Sequence, residues 1–306
     1  MTLVLQTSCC QDVLCRVSKT FDAFFGRIKR RPKAGYPRFK SRRCFDSITF
    51  PSCGDGVKLT GNRLRVQGVG EIEVKLHRPI SGKIKTVAVR RECGKWCVCF
   101  CEAKPLPVLD TAIGMDVGLE SFATSSNGDT IPNPHWYRSA EAKLGRAQRR
   151  VARRKKGSHR RRRAVALLRN VHTRIFRLRN EFQHRQSFRL VRDSGTIVVE
   201  DLNVKGLAGG MLSKYVHDAG WSSFIAKLSH KAENAGRRLI AVNPAGTSQA
   251  CICGASVGKL LSDREHVCTA CGLIAPRDVV SAQVILQRVR IGPSNRNVEE
   301  LISSVI

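Results

Sequence analysis

Acidic residues are scarce in this chain: 24 Asp and Glu stand against 54 Lys and Arg, a formal net charge of +30 over 306 residues. So cationic a chain wants a polyanion. Neutralising phosphates releases their condensed counterions, so nucleic acid is the partner that the composition points to. Long apolar runs are absent as well, which excludes a membrane-spanning helix. The opening MTLVLQTSCC is too short and polar for a secretory signal, and the cysteine count of 13 is odd. Together these argue against a disulfide framework and for a reducing, cytoplasmic, nucleoid-associated setting. No internal repeat is evident. What the chain does have is 42% hydrophobic residues, enough to bury a sizeable core, so it is more than a histone-like or ribosomal basic tail.

Three of the scarce acids sit where an apolar element begins or ends. Asp116 lies in IGMDVGL, in a strand pattern followed by the turn signal Asn127-Gly128-Asp129. Glu200 closes the run Ile197, Val198, Val199, which reads as a strand buried on both faces, so its carboxylate emerges at the strand's C-terminal end, the edge where open sheets bind ligands. Asp278 opens a segment in which Val279, Ala282, Ile285, Leu286 and Val289 recur at helical spacing, which puts it in a first turn. Each acid alone is more simply a helix cap, a turn residue or a surface charge. Two strands and a helix can, however, offer three carboxylates to one cavity. Hard cations such as Mg²⁺ or Mn²⁺ take such oxygen ligands, and a pair of them roughly 4 Å apart can drive phosphodiester hydrolysis.

With these motifs stand GYPRFK (35–40), LHRPISGKIKTVAVRRECGKWCVCF (76–100), DAGWSSFIAKLSHKAENAG (218–236) and NPAGTSQACICG (243–254). From Phe21 to Arg288 the chain resembles the transposon-encoded OrfB/TnpB proteins, relatives of the type V CRISPR effectors. The resemblance implies an α/β fold: a RuvC (RNase H-like) nuclease domain with a helical insertion and a zinc ribbon, preceded by a small β-barrel, wedge-like domain and a short helical segment. It implies RNA-guided cleavage of DNA next to a short recognised motif, with guide RNA and target DNA as partners. It also makes Asp116, Glu200 and Asp278 the catalytic and Mg²⁺-binding (or Mn²⁺-binding) residues.

The densest positive charge lies between the first two acidic motifs: Lys143, Arg146, Arg149, Arg150, Arg153, Arg154, Lys155, Lys156, Arg160, Arg161, Arg162 and Arg163. A block like this repels itself and is poorly ordered alone. It runs on into a helical pattern, with Leu168, Val171, Ile175, Leu178 and Phe182 on one stripe and Arg169, Arg174, Arg177, Arg179 and Arg185 on the other faces. One stripe packs and the rest faces phosphate or solvent. By resemblance this insertion lies along the guide RNA–DNA heteroduplex.

Four of the cysteines have ligand spacing. Cys251-x-Cys253, fourteen further residues, and Cys268-x2-Cys271 followed by Gly272 are close to a zinc ribbon. The family's first knuckle is usually C-x2-C, so one residue is missing here and the turn must strain or rearrange to present both thiolates. His266 is a possible substitute ligand, though a packed or surface histidine is the simpler reading. Placed before the Asp278 helix, the ribbon is expected to position the third carboxylate. Cys97, Cys99 and Cys101 alternate along a strand and face one way, which most simply makes them small buried apolar side chains.

The expected organisation is a helical recognition-lobe segment (1–43), a wedge-like β-barrel domain and linker (44–110), a nuclease domain (111–290) and a C-terminal tail (291–306). The nuclease domain contains the basic insertion (138–192) and the ribbon (247–275). In the first segment Val13, Val17, Phe21, Phe24, Phe25 and Ile28 share a helix face. Arg38, Lys40, Arg42, Arg43, Lys83, Lys85, Arg90 and Arg91 are candidate phosphate contacts or ordinary solubilising charges. Tyr36, Phe39 and Phe45 could stack on bases or pack beneath the barrel. Gly206, Gly209 and Gly210 suggest a lid or simply a loop.

The chain also departs from the family pattern. It begins inside the first helical lobe, without the usual leading basic strand. In the third motif Pro276 replaces an acid, and Val280 replaces an asparagine that would support the site from behind. The leading expectation is an RNA-guided DNA endonuclease working by a two-metal mechanism. An RNA-guided repressor that binds without cutting and a strand-joining transposase stay open beside it.

Overall fold

The computed structural model describes residues 7–30, 35–41, 44–103, 106–207, 209–210, 212–260, 263–291 and 296–297. The chain forms two compact units, Met1–Pro105 and Leu106–Ile306.

The first unit opens with helix α1 (Thr7–Arg30) and continues as short strands: β1 (Ser47–Phe50), β2 (Val57–Thr60), β3 (Arg63–Val66), β4 (Gly70–Glu73), β5 (Lys83–Glu92) and β6 (Lys95–Ala103). Gly61 takes φ +56° in the two-residue turn joining β2 to β3, a conformation that glycine adopts without steric cost. Among the described residues the expected barrel is not closed. The strands divide into two antiparallel sheets, β1-β5-β6 and β2-β3-β4, which share a core of Phe50, Val57, Leu64, Val66 and Val87. The outer strand β4, Gly-Glu-Ile-Glu, is exposed along its whole length, and among the described strands it pairs with β3 alone.

One other expectation fails here. Val98 and Phe100 are the β6 side chains that pack on the core, so Cys99 and Cys101 on the opposite face are exposed and Cys97 is half-buried. Alternation identified residues sharing a face but assigned the wrong face to the interior. On α1, Phe24 is buried whereas Val13, Val17, Phe25 and Ile28 stay exposed. The helix is held to β1 by a polar contact instead, with Arg16 donating to Ser47 Oγ at 3.0 Å and to Thr49 Oγ1 at 2.7 Å.

The second unit is built on β7 (Ala112–Asp116), β8 (Ser121–Ser125), β9 (Thr130–Pro132), β10 (Thr196–Glu200), β11 (Arg238–Val242) and, at its edge, the short β14 (Arg296–Asn297). The sheet order is β14-β11-β10-β7-β8-β9. β7, β10 and β11 run parallel, and β8 and β9 return antiparallel. Between β9 and β10 stand helices α2 (Trp136–Ala152) and α3 (His159–Asp193). Between β10 and β11 come α4 (Val204–Leu207), α5 (Ser213–Ala219) and α6 (Trp221–Asn234). The hairpin β12 (Glu265–Val267) and β13 (Ile274–Pro276) leads straight into α7 (Arg277–Ile291).

The run Ile197-Val198-Val199 is buried on both faces, as expected. Ile197 and Val199 join Phe122, Leu190, Trp221, Phe224 and Leu228 in one core, while Val198 packs with Val242 and Ile285 of α7 on the other side. Each such aliphatic side chain contributes about 1.5–3 kcal/mol on full burial. Helix α7 comes close to β7 because Gly114 has no side chain: a Cβ there would lie 2.1 Å from Ala282 O and 2.9 Å from Leu286 Cβ. Of the residues singled out from sequence, Arg42 and Arg43, the start of the linker at 104–105, and most of the C-terminal tail lie outside the described residues.

Candidate active site and nucleic-acid interface

Asp116 is the last residue of β7 and Glu200 the last of the adjacent parallel strand β10, one step beyond the register pair Met115 and Val199. Asp278 lies in the first turn of α7, which crosses β7 at Gly114. The three acids therefore meet at the carboxyl edge of the sheet, where chain ends leave room for a ligand.

Their electrostatics report the proximity. The Asp116 carboxyl is pushed up to about 8, first by burial, then by the charges of Glu200 and Asp278, with Arg277 opposing. Burial also raises Glu200, against the pull of a hydrogen bond from Thr247 and the charge of Arg288. Arg277 Nε donates to Asp278 Oδ1 at 3.3 Å. An excess of buried negative charge that the protein only partly balances is what a divalent cation relieves, and hard oxygen donors suit Mg²⁺ or Mn²⁺. Among the described residues, however, the carboxylates are not gathered as tightly as the cysteines: the four sulfurs are the one His, Cys, Asp or Glu set whose ligand atoms all fall within 4.8 Å of one another.

Those sulfurs are Cys251, Cys253, Cys268 and Cys271. Cys251 Sγ lies 3.7 Å from Cys271 Sγ, and Cys253 Sγ 3.7 Å from Cys268 Sγ. This is too long for a disulfide and close to about 3.8 Å, the edge of a tetrahedron whose centre is about 2.3 Å from each thiolate. The shortened first knuckle reaches the same hydrogen-bond plan as the second. In the C-x2-C turn, Gly272 N–H donates to Cys268 O and Cys268 N–H to Leu273 O, both at 2.9 Å. In the C-x-C turn, Gly254 N–H donates to Cys251 O and Cys251 N–H to Ala255 O, again at 2.9 Å. Gly254 at φ +89° and Gly272 at φ +75° make both reversals possible. Backbone N–H groups, led by that of Cys271, hold the Cys268 thiol down to about 7. Cys271, despite the N–H of Leu273, is pushed up to about 12 by the neighbouring sulfurs of Cys253 and Cys268. His266 is fully buried and faces the Lys259 ammonium rather than joining the sulfurs.

The basic stretch forms a helical hairpin. Leu144, Val171 and Ile175 zip α2 to α3, Ser158 caps α3 by accepting from Arg161 N–H at 3.1 Å, and Asp218 accepts Tyr137 N–H at 2.9 Å at the start of α2. Arg149, Arg150, Arg153, Lys155, Lys156, Arg160, Arg162 and Arg163 are exposed around the tip, and Arg154 is half-buried. A cleft of about 330 Å³ is lined by arginines alone, at 146, 149, 150, 153 and 154.

Three arginines of the stretch make contacts within the protein. Arg161 donates to Val151 O at 2.8 Å and Arg154 O at 2.9 Å, closing the end of α2. Arg179 pairs with the buried Asp218 at 2.9 Å. Arg185 pairs with Glu181 one turn away at 2.6 Å. In the first unit Arg38 is exposed and Lys40 lies over the Phe45 ring at 5.3 Å. Phe39 is exposed rather than packed, and Tyr36 meets the edges of Phe21 and Phe24 on α1. In the glycine-rich segment after Glu200, Asn203 Oδ1 accepts Gly206 N–H at 3.0 Å.

Sequence reasoning missed Thr247 and Arg288. NPAGTSQ was visible as a motif, but nothing local says that its threonine meets a carboxylate on another strand. No helix among the described residues is long and apolar enough to cross a membrane.

Residues 88–210 match the profile of the OrfB_IS605 family, described as "Probable transposase", and residues 221–285 match that of the "Cas12f1-like, TNB domain". A Streptomyces pristinaespiralis protein named "Putative RNA-guided DNA endonuclease" is 34% identical over 286 residues, covering 90% of this chain and 70% of that protein. InsQ of Escherichia coli (strain K12), which bears the same description, is 29% identical over 300 residues, covering 90% of this chain and 73% of its own. A Cas12f1 chain from a cryo-EM complex with sgRNA and target DNA is 14% identical with a TM-score of 0.44, covering 85% of this chain and 74% of that one.

Proposed function

The chain belongs to the OrfB/TnpB family, and from that premise we propose that it is an RNA-guided DNA endonuclease, hydrolysing DNA phosphodiesters next to a short target-adjacent motif. The observation that carries the proposal is the meeting of Asp116, Glu200 and Asp278 at one sheet edge, with the Asp116 carboxyl raised to about 8 by burial and by the other two. Cations bound there would activate water and stabilise the leaving oxygen of the phosphodiester. The protein's own part is to hold three carboxylates in a fixed array and to keep Arg277 beside Asp278 as a partial counter-charge.

The exposed arginines and lysines of the α2–α3 hairpin, with Arg38 and Lys40 of the first unit, hold the phosphates of guide RNA and target DNA through counterion release rather than base readout. The four cysteines hold zinc, and their sulfur spacing of 3.7 Å suits it. Helix α7 carries Asp278 and is tied to this knuckle, since Gln287 Nε2 donates to Ile252 O at 3.1 Å.

The test is to purify the protein with its co-expressed RNA, sequence that RNA, and challenge the complex with a plasmid library bearing guide-matched targets, with and without Mg²⁺. Metal-dependent cutting at matched sites is the expected result. Matched binding without cutting would make the protein an RNA-guided repressor, and joined rather than hydrolysed ends would make it a transposase.

A further inference from the structure

The loop between β11 and the first cysteine knuckle is over-determined for a surface connection. Asn243 Oδ1 accepts Ala245 N–H at 2.9 Å, folding the chain back on itself. Arg288, reaching up from α7, donates to Asn243 O and to Ala245 O, the latter at 2.8 Å. Gly246 turns the chain at φ +71°, and Gln249 and Ala250 N–H groups close a tight turn onto its carbonyl at 3.1 and 3.0 Å. Cys251 follows immediately. What all this presents is Thr247, 4% exposed, whose hydroxyl reaches Glu200 Oε1.

The same hydroxyl lies 3.0 Å from Pro244 O, but it has a single proton to give. An ionised carboxylate is the stronger acceptor. Donated to Oε1, that proton occupies one oxygen of Glu200 and stops rotation of the carboxylate while leaving the other oxygen for a cation. We infer that Thr247 is the positioning residue of the acidic site: its hydroxyl orients Glu200 for the metal, and the loop that carries it joins the four-cysteine knuckle to that carboxylate. The inference rests on the acidic-site reading above. It gives the cysteine site a route to the active centre through Glu200, in addition to the expected one through the Asp278 helix.

The experiment measures Mn²⁺ affinity of the full-length protein by electron paramagnetic resonance for wild type, Thr247→Val, Thr247→Ser, Glu200→Gln and the Thr247→Val/Glu200→Gln double variant, with zinc content and melting temperature recorded for each. Valine keeps the shape and removes the hydroxyl. Loss of a ligand's hydrogen-bond partner typically weakens metal binding 10- to 100-fold, so Thr247→Val should lose about that much, Thr247→Ser should restore binding, and zinc content should not change. In the Glu200→Gln background the valine should cost little more, because its effect runs through Glu200. Wild-type Mn²⁺ affinity in Thr247→Val, or losses that simply add in the double variant, would overturn the inference; additivity is also what a general loosening of the loop predicts. Unchanged affinity in Glu200→Gln would instead overturn the acidic-site reading itself.

Discussion

Gly114 lies directly beneath the carbonyl of Ala282: a single methyl group added to the strand residue would come within 2.1 Å of that oxygen. The consequence reaches Asp116 and Asp278, because β7 and α7 carry one acid each and this crossing sets their separation. Gly114→Ala must push α7 outward. Overpacking of this kind costs about 1–3 kcal/mol, so a lower melting temperature is expected, together with loss of Mn²⁺ binding and of cutting. Wild-type binding in the alanine variant would mean that α7 adjusts without moving Asp278.

The raised Asp116 carboxyl predicts a pH dependence with a definite sign. In the metal-free protein this group keeps its proton up to about 8, whereas in the unfolded chain it loses it near pH 4. The folded state therefore binds the extra proton, a contribution fully present below about pH 4 and lost as pH rises through about 8. Metal-free protein should melt lower at pH 8.5 than at pH 6, and Asp116→Asn should flatten the difference. Cation binding needs the carboxylate, so Mn²⁺ affinity should rise with pH, approaching tenfold per unit below 8, with about one proton released at pH 7. Calorimetry in buffers of different ionisation enthalpy counts that proton; none released at pH 7 would remove Asp116 as the titrating ligand.

How far this could be seen in the chain beforehand depends on how local each cause is. Glu200 at the end of an apolar run and Asp278 in a first turn were legible because strand ends and helix starts are written in neighbouring residues. The cysteine pairs were legible from spacing alone. Thr247 and Glu200 are 47 residues apart, and Arg179 and Asp218 are 39 apart. The parallel pairing of β10 with β11 and the packing of α3 on α6, the helix that follows α5, bring them together. Arg161 looked like its neighbours in a basic run, but its place in the first turn of α3 turns it back on α2. Cys99 shows the limit of alternation, which groups side chains by face without saying which face the sheet buries. The barrel illustrates the same limit, since each strand is local whereas closure depends on the pairing of distant edges.

The cysteine site should act on folding and catalysis in sequence. Cys268→Ser removes a buried sulfur whose thiol is held down to about 7. Zinc content should fall, and with it the melting temperature, because binding free energy at a structural site is folding free energy. Mn²⁺ affinity at the carboxylates should fall as well, through Ile252 and Gln287 on one side and Thr247 on the other. A serine variant with full zinc and unchanged stability would remove the four-cysteine assignment.

The hairpin offers a sharper division, because adjacent arginines in one basic run have different work to do. Arg149, Arg150 and Arg153 are exposed at the tip, so replacing all three by Gln should weaken nucleic-acid binding without lowering the melting temperature. If each contacts one phosphate, the slope of log affinity against log salt should fall by about 0.9 per arginine on duplex DNA and about 0.7 on a single strand. Arg161→Gln should do the reverse. Its guanidinium is spent on Val151 O and Arg154 O, so its loss frays the end of α2 and costs stability while leaving the salt slope nearly unchanged. Titrations at several salt concentrations, paired with thermal melts, separate the two. An equal loss of salt slope in Arg161→Gln and in a single tip variant would mean that position in the fold does not sort these arginines, and that the run binds phosphate as an undifferentiated block of charge.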